Sequence, residues 1–388
     1  MRRSFAAALA ALVLMAGASL SWAADPVRIG FSIAQTGLFS QAAPSQMTAY
    51  EMWRDEVNAA GGLDVAGELR MVEFVYYDDE SDPSKSAQIY EKLITDDKVD
   101  LLIAPWGTPS HLAIAGVLEA HGFPMVGNTA ASVAIREVAP GNIWFPTSAI
   151  PDKIGPQLAA FAKSAGVTKV AVIANLLPFA QENLQFLIPA LESEGIEVAV
   201  NESYPPDIAD MTPLLVKIKE SGVDGVIALS YPADSFLYQG QATELGITAP
   251  FQFLLVGPTI SAFADAFGDG ANGLVTLGHW SPYQDAWPRA KPFYDAYVAR
   301  YAMRPDYLDT ALAYMSLEIL QQAVATAGLD KDKLREAIST QTFDTINGPV
   351  KFEGVENVVT PTAFLQLQNG EMHLVWPAEV ATAAYTPR

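Results

Sequence analysis

The sequence predicts an α/β protein of two similarly built lobes, each a mostly parallel sheet covered by helices. Three observations carry this expectation. The chain has 388 residues, more than one hydrophobic core ordinarily serves and enough for two domains. Half of the residues are hydrophobic and 17% are charged, with no low-complexity tract, which is a globular composition. Short β-branched apolar runs alternate with amphipathic helical segments, a rhythm that implies parallel strands with right-handed crossovers.

Residues 1–23 stand apart from the fold. Arg2 and Arg3 precede an apolar run from Phe5 to Leu20, and Ser21-Trp22-Ala23 places small residues around a cleavage point. This is the layout of a secretory signal peptide, and the apolar run is short for a membrane span. The paired arginines leave the choice between general and twin-arginine export open. From Val27 the elements follow in order. Val27–Ala34 reads as a strand, Pro44–Ala60 as a helix stopped by Gly61-Gly62, and Leu69–Tyr77 as a strand. A helix over Pro83–Thr95 gains its N-cap from Asp82 and a first-turn proline. Leu101–Ala104, Pro109–Ala120 and Pro124–Gly127 then read as strand, helix and strand.

The rhythm restarts after Ile143–Pro146. Helices over Ile154–Ser164, Phe179–Glu194, Met211–Glu220 and Asp234–Leu245 alternate with strands over Lys169–Ala174, Ile196–Glu202, Gly225–Ala228 and Phe251–Val256. The last third holds a strand at Gly273–Leu277 and helices over Lys291–Tyr301, Asp306–Ala327 and Lys331–Ile338. It closes with short strands at Gly348–Phe352, Ala363–Gln368 and Met372–Trp376, the last two joined by an Asn369-Gly370 hairpin signal. The expected division is a first lobe of 24–148 plus 278–350 and a second of 149–277 plus 351–388. The chain would pass between them near 147–151, 275–280 and 350–360.

Charge and residue usage narrow the function. The net charge is −21 and becomes −23 without residues 1–23, which disfavours nucleic acid and anionic membranes as partners. Cysteine is absent, excluding disulfides, a thiol nucleophile and thiolate metal sites. His111, His121, His279 and His373 lie at no metal-ligand spacing, and no nucleophile elbow, phosphate loop or zincin motif occurs. Gly268-Asp-Gly270-Ala-Asn-Gly273 matches a dinucleotide fingerprint in letters only, since helix precedes it and strand follows, the reverse of the order phosphate binding needs. Asp78, Asp79, Glu80 and Asp82 read as a strand-to-helix turn whose acids favour the helix start, with a cation site as the alternative. No cofactor, metal or catalytic residue is expected.

Two polar loops at the carboxyl ends of buried strands are the informative features. One is Ala104-Pro-Trp106-Gly-Thr108-Pro-Ser110-His111, and the other Gly127-Asn-Thr129-Ala-Ala131-Ser132. Ligands of open α/β sheets lie beyond the carboxyl ends of strands, where helix starts present free N–H groups. Such loops suit a carboxylate, an amide or another anion; the alternative for Ser110 and Ser132 is helix capping.

At these residues the chain resembles the type I periplasmic binding proteins, specifically the branched-chain amino-acid-binding family of ABC transporters. The resemblance is carried by IGFSIAQTG (Ile29–Gly37), NAAGGL (Asn58–Leu63), YDDESDP (Tyr77–Pro83), GFPMVGNTAAS (Gly122–Ser132) and TING (Thr345–Gly348). It implies two α/β lobes joined by three crossings and closing on a ligand. It further implies that Thr108, Thr129 and the backbone at Ala131 and Ser132 grip a carboxylate, with Phe179 and Tyr231 facing it from the second lobe. Three departures stand out. A position that often carries glutamate holds Thr259, another acid position falls at Pro151 with Asp152 beside it, and Ser81 and Gly107 replace a cysteine pair. Loss of an ionic partner for a buried ammonium costs roughly 3–5 kcal/mol, so the ligand is expected to be either a hydrophobic amino acid, met by Asp152, or an aromatic or other organic acid. Trp106, Phe39, Phe179, Tyr231 and Trp280 are expected to give the cleft an aromatic lining. The expected protein is a periplasmic, monomeric solute-binding protein that delivers its ligand to a membrane permease. A ligand sensor of the same fold and a secreted enzyme are the rivals; no histidine pairs with a nucleophile for the latter.

Overall fold

The structure is a computed structural model that describes residues 24–388; the expected signal peptide lies outside the described residues. The first lobe opens with β1 (Val27–Ile33), α1 (Ala43–Ala59), the hairpin β2 (Leu63–Val65) and β3 (Glu68–Arg70), and β4 (Val72–Asp78). It continues through α2 (Pro83–Thr95), β5 (Leu101–Leu102), α3 (Thr108–His121), β6 (Met125–Val126), α4 (Ile135–Val138) and β7 (Ile143–Trp144). The second lobe holds α5 (Pro151–Ser164), β8 (Lys169–Asn175), α6 (Pro178–Ser193), β9 (Glu197–Tyr204), α7 (Thr212–Glu220) and β10 (Gly225–Leu229). Then follow α8 (Pro232–Leu245), β11 (Phe251–Leu254), α9 (Ser261–Phe267) and β12 (Val275–Leu277). The chain returns to the first lobe for α10 (Ala290–Tyr301), α11 (Asp309–Ala327), α12 (Lys331–Thr340), β13 (Thr342–Thr345), β14 (Gly348–Glu353) and β15 (Glu356–Asn357). It ends in β16 (Phe364–Gln368) and β17 (Glu371–Trp376).

In the first lobe β1 pairs in parallel with β4 and β5, and β6 with β7. Every apolar side chain of β1 is fully buried, as expected of a parallel strand covered on both faces. In the second lobe seven strands run in the order β17-β16-β12-β11-β10-β8-β9. Those from β9 to β12 are parallel. The terminal pair β16 and β17 joins antiparallel, because a turn of only Asn369-Gly370, both with positive φ, cannot return a strand in parallel.

Helices α10 to α12 complete the first lobe. Helix α11 packs on α1 and is buried nearly all round, which its lack of a polar face predicts. The sheet β13-β14-β15 carries the chain to Asn357, ahead of β16 in the seven-stranded sheet. After β12 the chain runs beside the entry to β16: Gly278 N–H donates to Ala363 O at 3.2 Å, and a Cβ added at Gly278 would lie 2.2 Å from the Leu365 side chain. Among the described residues no helix is long and apolar enough to cross a membrane.

Candidate functional site

A cavity of about 40 Å3 lies between the lobes. Trp106, Gly107, Thr108 and Asn128–Ala131 line it from one side, Phe179, Tyr231 and Val256 from the other, and Thr147, Ala149 and Leu277 at the passages between them. Leu308, Asp309 and Leu312 close the remaining wall.

Strand β5 ends in a loop that turns at Gly107, whose φ of 80° is costly for any residue with a Cβ. Helix α3 begins at the next residue, and its first N–H groups have no intrahelical acceptor. The loop is held from beneath. Gln46 Nε2 donates to the Ala104 and Pro105 carbonyls at 3.0 and 3.2 Å, and the Tyr50 hydroxyl donates to Ala104 O at 2.8 Å. His111 ties this loop to the next one. Its Nε2 accepts from Asn128 N–H at 3.3 Å, which leaves Nδ1 to donate to Gly107 O at 2.9 Å. Burial drags the imidazole pKa down to about 4, so the ring is neutral. Thr129 Oγ1 accepts from Gly107 N–H at 2.9 Å, and Thr108 Oγ1 meets Ala131 N and O, each at 3.1 Å. The two loops therefore form one hydrogen-bonded wall.

Opposite stands an aromatic face. Phe179 lies in the first turn of α6, and Tyr231 precedes α8, fixed by its N–H donating to buried Asp234 at 2.9 Å. The Tyr231 ring centroid is 5.9 Å from Phe39 and 6.4 Å from Trp106, so aromatic contacts join the lobes over the cavity. The Tyr231 side chain is buried.

Asp309, at the start of α11, is the acid in this wall. Trp106 Nε1 donates to its Oδ2 at 2.8 Å. Burial foremost, and the neighbouring Asp306 carboxylate after it, hold its carboxyl well above the usual carboxylate range. Asp306 is also raised by burial, but it accepts from Leu308 N–H and Asp309 N–H at 2.8 and 3.1 Å. Of the pair, Asp309 is the one whose carboxyl is pushed further up.

Of the residues singled out in the sequence, Trp106, Thr108, Thr129, Ala131, Phe179 and Tyr231 meet in this cavity. The other four lie elsewhere. Ser110 is buried on the side of α3 that faces α2, its hydroxyl accepting from that of Ser86 at 3.1 Å. Ser132 accepts from Ala134 N–H at 3.0 Å in the turn before α4 and donates to Glu182 of the second lobe at 2.6 Å. Asp152 pairs with Arg136 at 2.7 Å, which takes its carboxylate away from the cavity. Thr259 is buried outside the lining, its carbonyl accepting from Arg304 Nη1 at 3.0 Å. Trp280 packs on Phe293 and Tyr307 in the first-lobe core, and Phe39 lies outside the cavity lining against both Trp106 and Tyr231.

The acidic turn and the glycine run read as structure. Asp78 accepts from Gln35, Thr36 and Glu80 N–H groups, and Asp82 caps α2 through Ser84 N–H at 2.8 Å. Gly268–Ala271 forms a single 3-10 turn between α9 and β12. Among the described residues no group of three or more His, Asp or Glu is placed to hold a metal ion.

The periplasmic binding protein family matches residues 26–371. The chain belongs to that family. A leucine-, isoleucine-, valine-, threonine- and alanine-binding protein of Pseudomonas aeruginosa is 27% identical, covering 89% of this chain and 90% of its own. A Leu/Ile/Val-binding protein homolog of Brucella abortus is 26% identical, covering 92% of each chain. Among solved structures, a branched-chain amino-acid transporter substrate-binding protein of Streptococcus pneumoniae in complex with isoleucine superposes with a TM-score of 0.81. It is 21% identical and covers 91% of this chain and 100% of that one. A solute-binding protein of R. palustris in complex with benzoate gives 0.78 at 19% identity, covering 94% and 97%. This periplasmic binding protein therefore shares its fold with relatives crystallised with an amino acid and with an aromatic acid.

Proposed function

We propose that the protein is the solute-binding component of an ABC importer. It captures one small carboxylate-bearing ligand, a hydrophobic amino acid or an aromatic or other organic acid, and presents the closed form to a membrane permease. The observation that carries this reading is the cavity between the lobes, with N–H and hydroxyl groups of two loops on one side and an aromatic face on the other. The loops offer the start of α3 to an anion, and Phe179, Tyr231 and Val256 offer apolar area to the rest of the molecule. The names of the curated relatives support the same class.

In this reading Thr108, Thr129 and the Ala131 backbone hold the carboxylate. Closure turns on three passages, near 147–149, 277–279 and 358–363. The ligand is held and released unchanged: the buried neutral His111 is committed to two loop contacts, and among the described residues no side-chain hydroxyl is hydrogen-bonded to it. Residues 1–23 direct export and are removed near Ala23, and the protein acts as a periplasmic monomer without nucleic acid. The test is a thermal-shift screen of the secreted protein against amino acids and aromatic carboxylates, followed by recovery of the bound compound. A ligand at about 100 times its Kd stabilises by about 2.7 kcal/mol. Recovery of a chemically altered compound overturns the non-catalytic reading, and silence across both panels overturns the ligand class.

A further inference from the structure

The cavity wall carries two kinds of polar group that no single simple acid would use. One is the start of α3, with unpaired N–H groups behind Gly107 and the positive end of a 14-residue helix. The other is Asp309. Its neighbour Asp306 works for the fold, accepting two backbone N–H groups at the head of α11 and facing Ser45 Oγ at 3.3 Å. Asp309 has no such task. Among the described residues its one side-chain hydrogen bond comes from the Trp106 indole, and its second oxygen meets no donor. It is only 3% exposed, and its side chain borders an otherwise apolar part of the wall made by Leu308 and Leu312. Across the cavity stands Tyr231, a residue only 4% exposed. A buried carboxyl with one hydrogen bond is costly to the fold, and a group kept at such cost in a cavity is a candidate for ligand recognition.

We propose that Asp309 receives the ammonium group of the ligand, so that the first lobe alone reads both charged groups of an apolar α-amino acid. The carboxylate meets the start of α3 and the ammonium meets the start of α11. Trp106 links the two, since its backbone leads into Gly107 while its indole holds Asp309. Approach of the ammonium makes the ionised form of Asp309 the favoured one, and its proton leaves to solvent. Phe179 and Tyr231 then close over the apolar side chain. This assignment rests on the reading of the cavity as the ligand site.

The experiment is isothermal titration of the purified protein with L-leucine and L-phenylalanine. The same titration is made with 4-methylpentanoate and 3-phenylpropanoate, which lack only the amine. Wild type, Asp309→Asn and Tyr231→Ala are compared. Wild type is expected to bind at least one amino acid about tenfold or more tighter than its amine-free counterpart. Asp309→Asn is expected to erase that preference by weakening the amino acid, while affinity for the counterpart stays within about threefold. The wild-type comparison stands even if a variant fails to fold. Equal or stronger binding of the amine-free acids, or binding of none of the four compounds, overturns the assignment. So does an Asp309→Asn variant that keeps the preference. In that last case, loss of binding in Tyr231→Ala leaves the cavity as the ligand site, whereas unchanged binding in both variants removes the cavity reading itself.

Discussion

His111 shows how much of this cavity depends on one side chain that never enters it. The ring is 1% exposed and spends both nitrogens on holding Gly107 and Asn128, the first residues of the two wall loops. Burial keeps it neutral down to about pH 4, whereas in the unfolded chain it gains a proton near 6.5. Between those values the unfolded state binds more protons, so this residue's contribution is present above pH 6.5 and is lost as pH falls toward 4. The rate of loss is at most about 1.4 kcal/mol per pH unit. Buried Asp309 and Glu318 titrate with the opposite sign, because their raised carboxyls penalise the fold as pH rises. The measurement is therefore a difference. Urea unfolding of wild type and His111→Asn at pH 7, 5.5 and 4 should show wild type losing stability faster on acidification. Parallel pH profiles would contradict it.

The same scale explains which site residues were legible. Thr108, Thr129 and Ala131 follow strands directly, and the rule that ligands lie beyond strand ends finds them without tertiary knowledge. Asp309 carries no such mark. In the sequence it is an acid at a helix start, which the helix dipole alone would explain. Only the approach of Trp106, 203 residues earlier, turns it into cavity wall. Asp152 illustrates the reverse: its place beside a resemblance position suggests the cleft, yet Arg136 is nearer and takes it.

At the scale of elements, the long strands and helices were readable because periodicity and caps agree. Asp82-Pro83 opens α2 at the expected residue. The hairpin β2–β3 was not readable. Its strands have three residues each, too few to show alternation, and its turn places Ala66 at a φ of 51°, against that residue's preference. Short α4 and β15 fall below the same limit. Glycines make this scale testable. Gly37 has a φ of 85°, and a Cβ there would lie 2.3 Å from the Glu80 carbonyl, inside the turn that Asp78 and Ser81 tie to Thr36. Gly67 has a φ of 99° with nothing within 4 Å. Gly67→Ala is expected to cost about 1 kcal/mol, the backbone penalty alone. Gly37→Ala must also move the turn and is expected to cost at least about 2 kcal/mol in urea unfolding. Equal costs would mean that the turn is looser than its contacts.

For the whole molecule, the contacts between lobes fall into two groups. Aromatic rings cover the cavity, while polar bridges lie beside it. Glu182 of α6 accepts from the Ser132 hydroxyl at 2.6 Å and from Val133 N–H at 2.9 Å. Arg136 of α4 reaches Asp152 at 2.7 Å and also Glu356, which Lys153 approaches at 2.9 Å. Glu182 does not line the cavity, so it acts on ligand only through the closed arrangement. A ligand that needs the closed form loses apparent affinity in proportion to that form's population. Glu182→Ala is expected to weaken binding several-fold, chiefly by faster release, with thermal stability nearly unchanged. Stopped-flow release rates equal to wild type would show that this bridge does not hold the lobes.

The central claim is that one small carboxylate ligand occupies the cavity between the lobes. Isothermal titration of wild type and Tyr231→Ala with the compound that most stabilises the protein tests it most directly. The account predicts one ligand per chain for wild type and at least about tenfold weaker binding for the variant, which loses a buried aromatic wall. Undiminished binding by a folded Tyr231→Ala variant would place the ligand elsewhere and contradict the account.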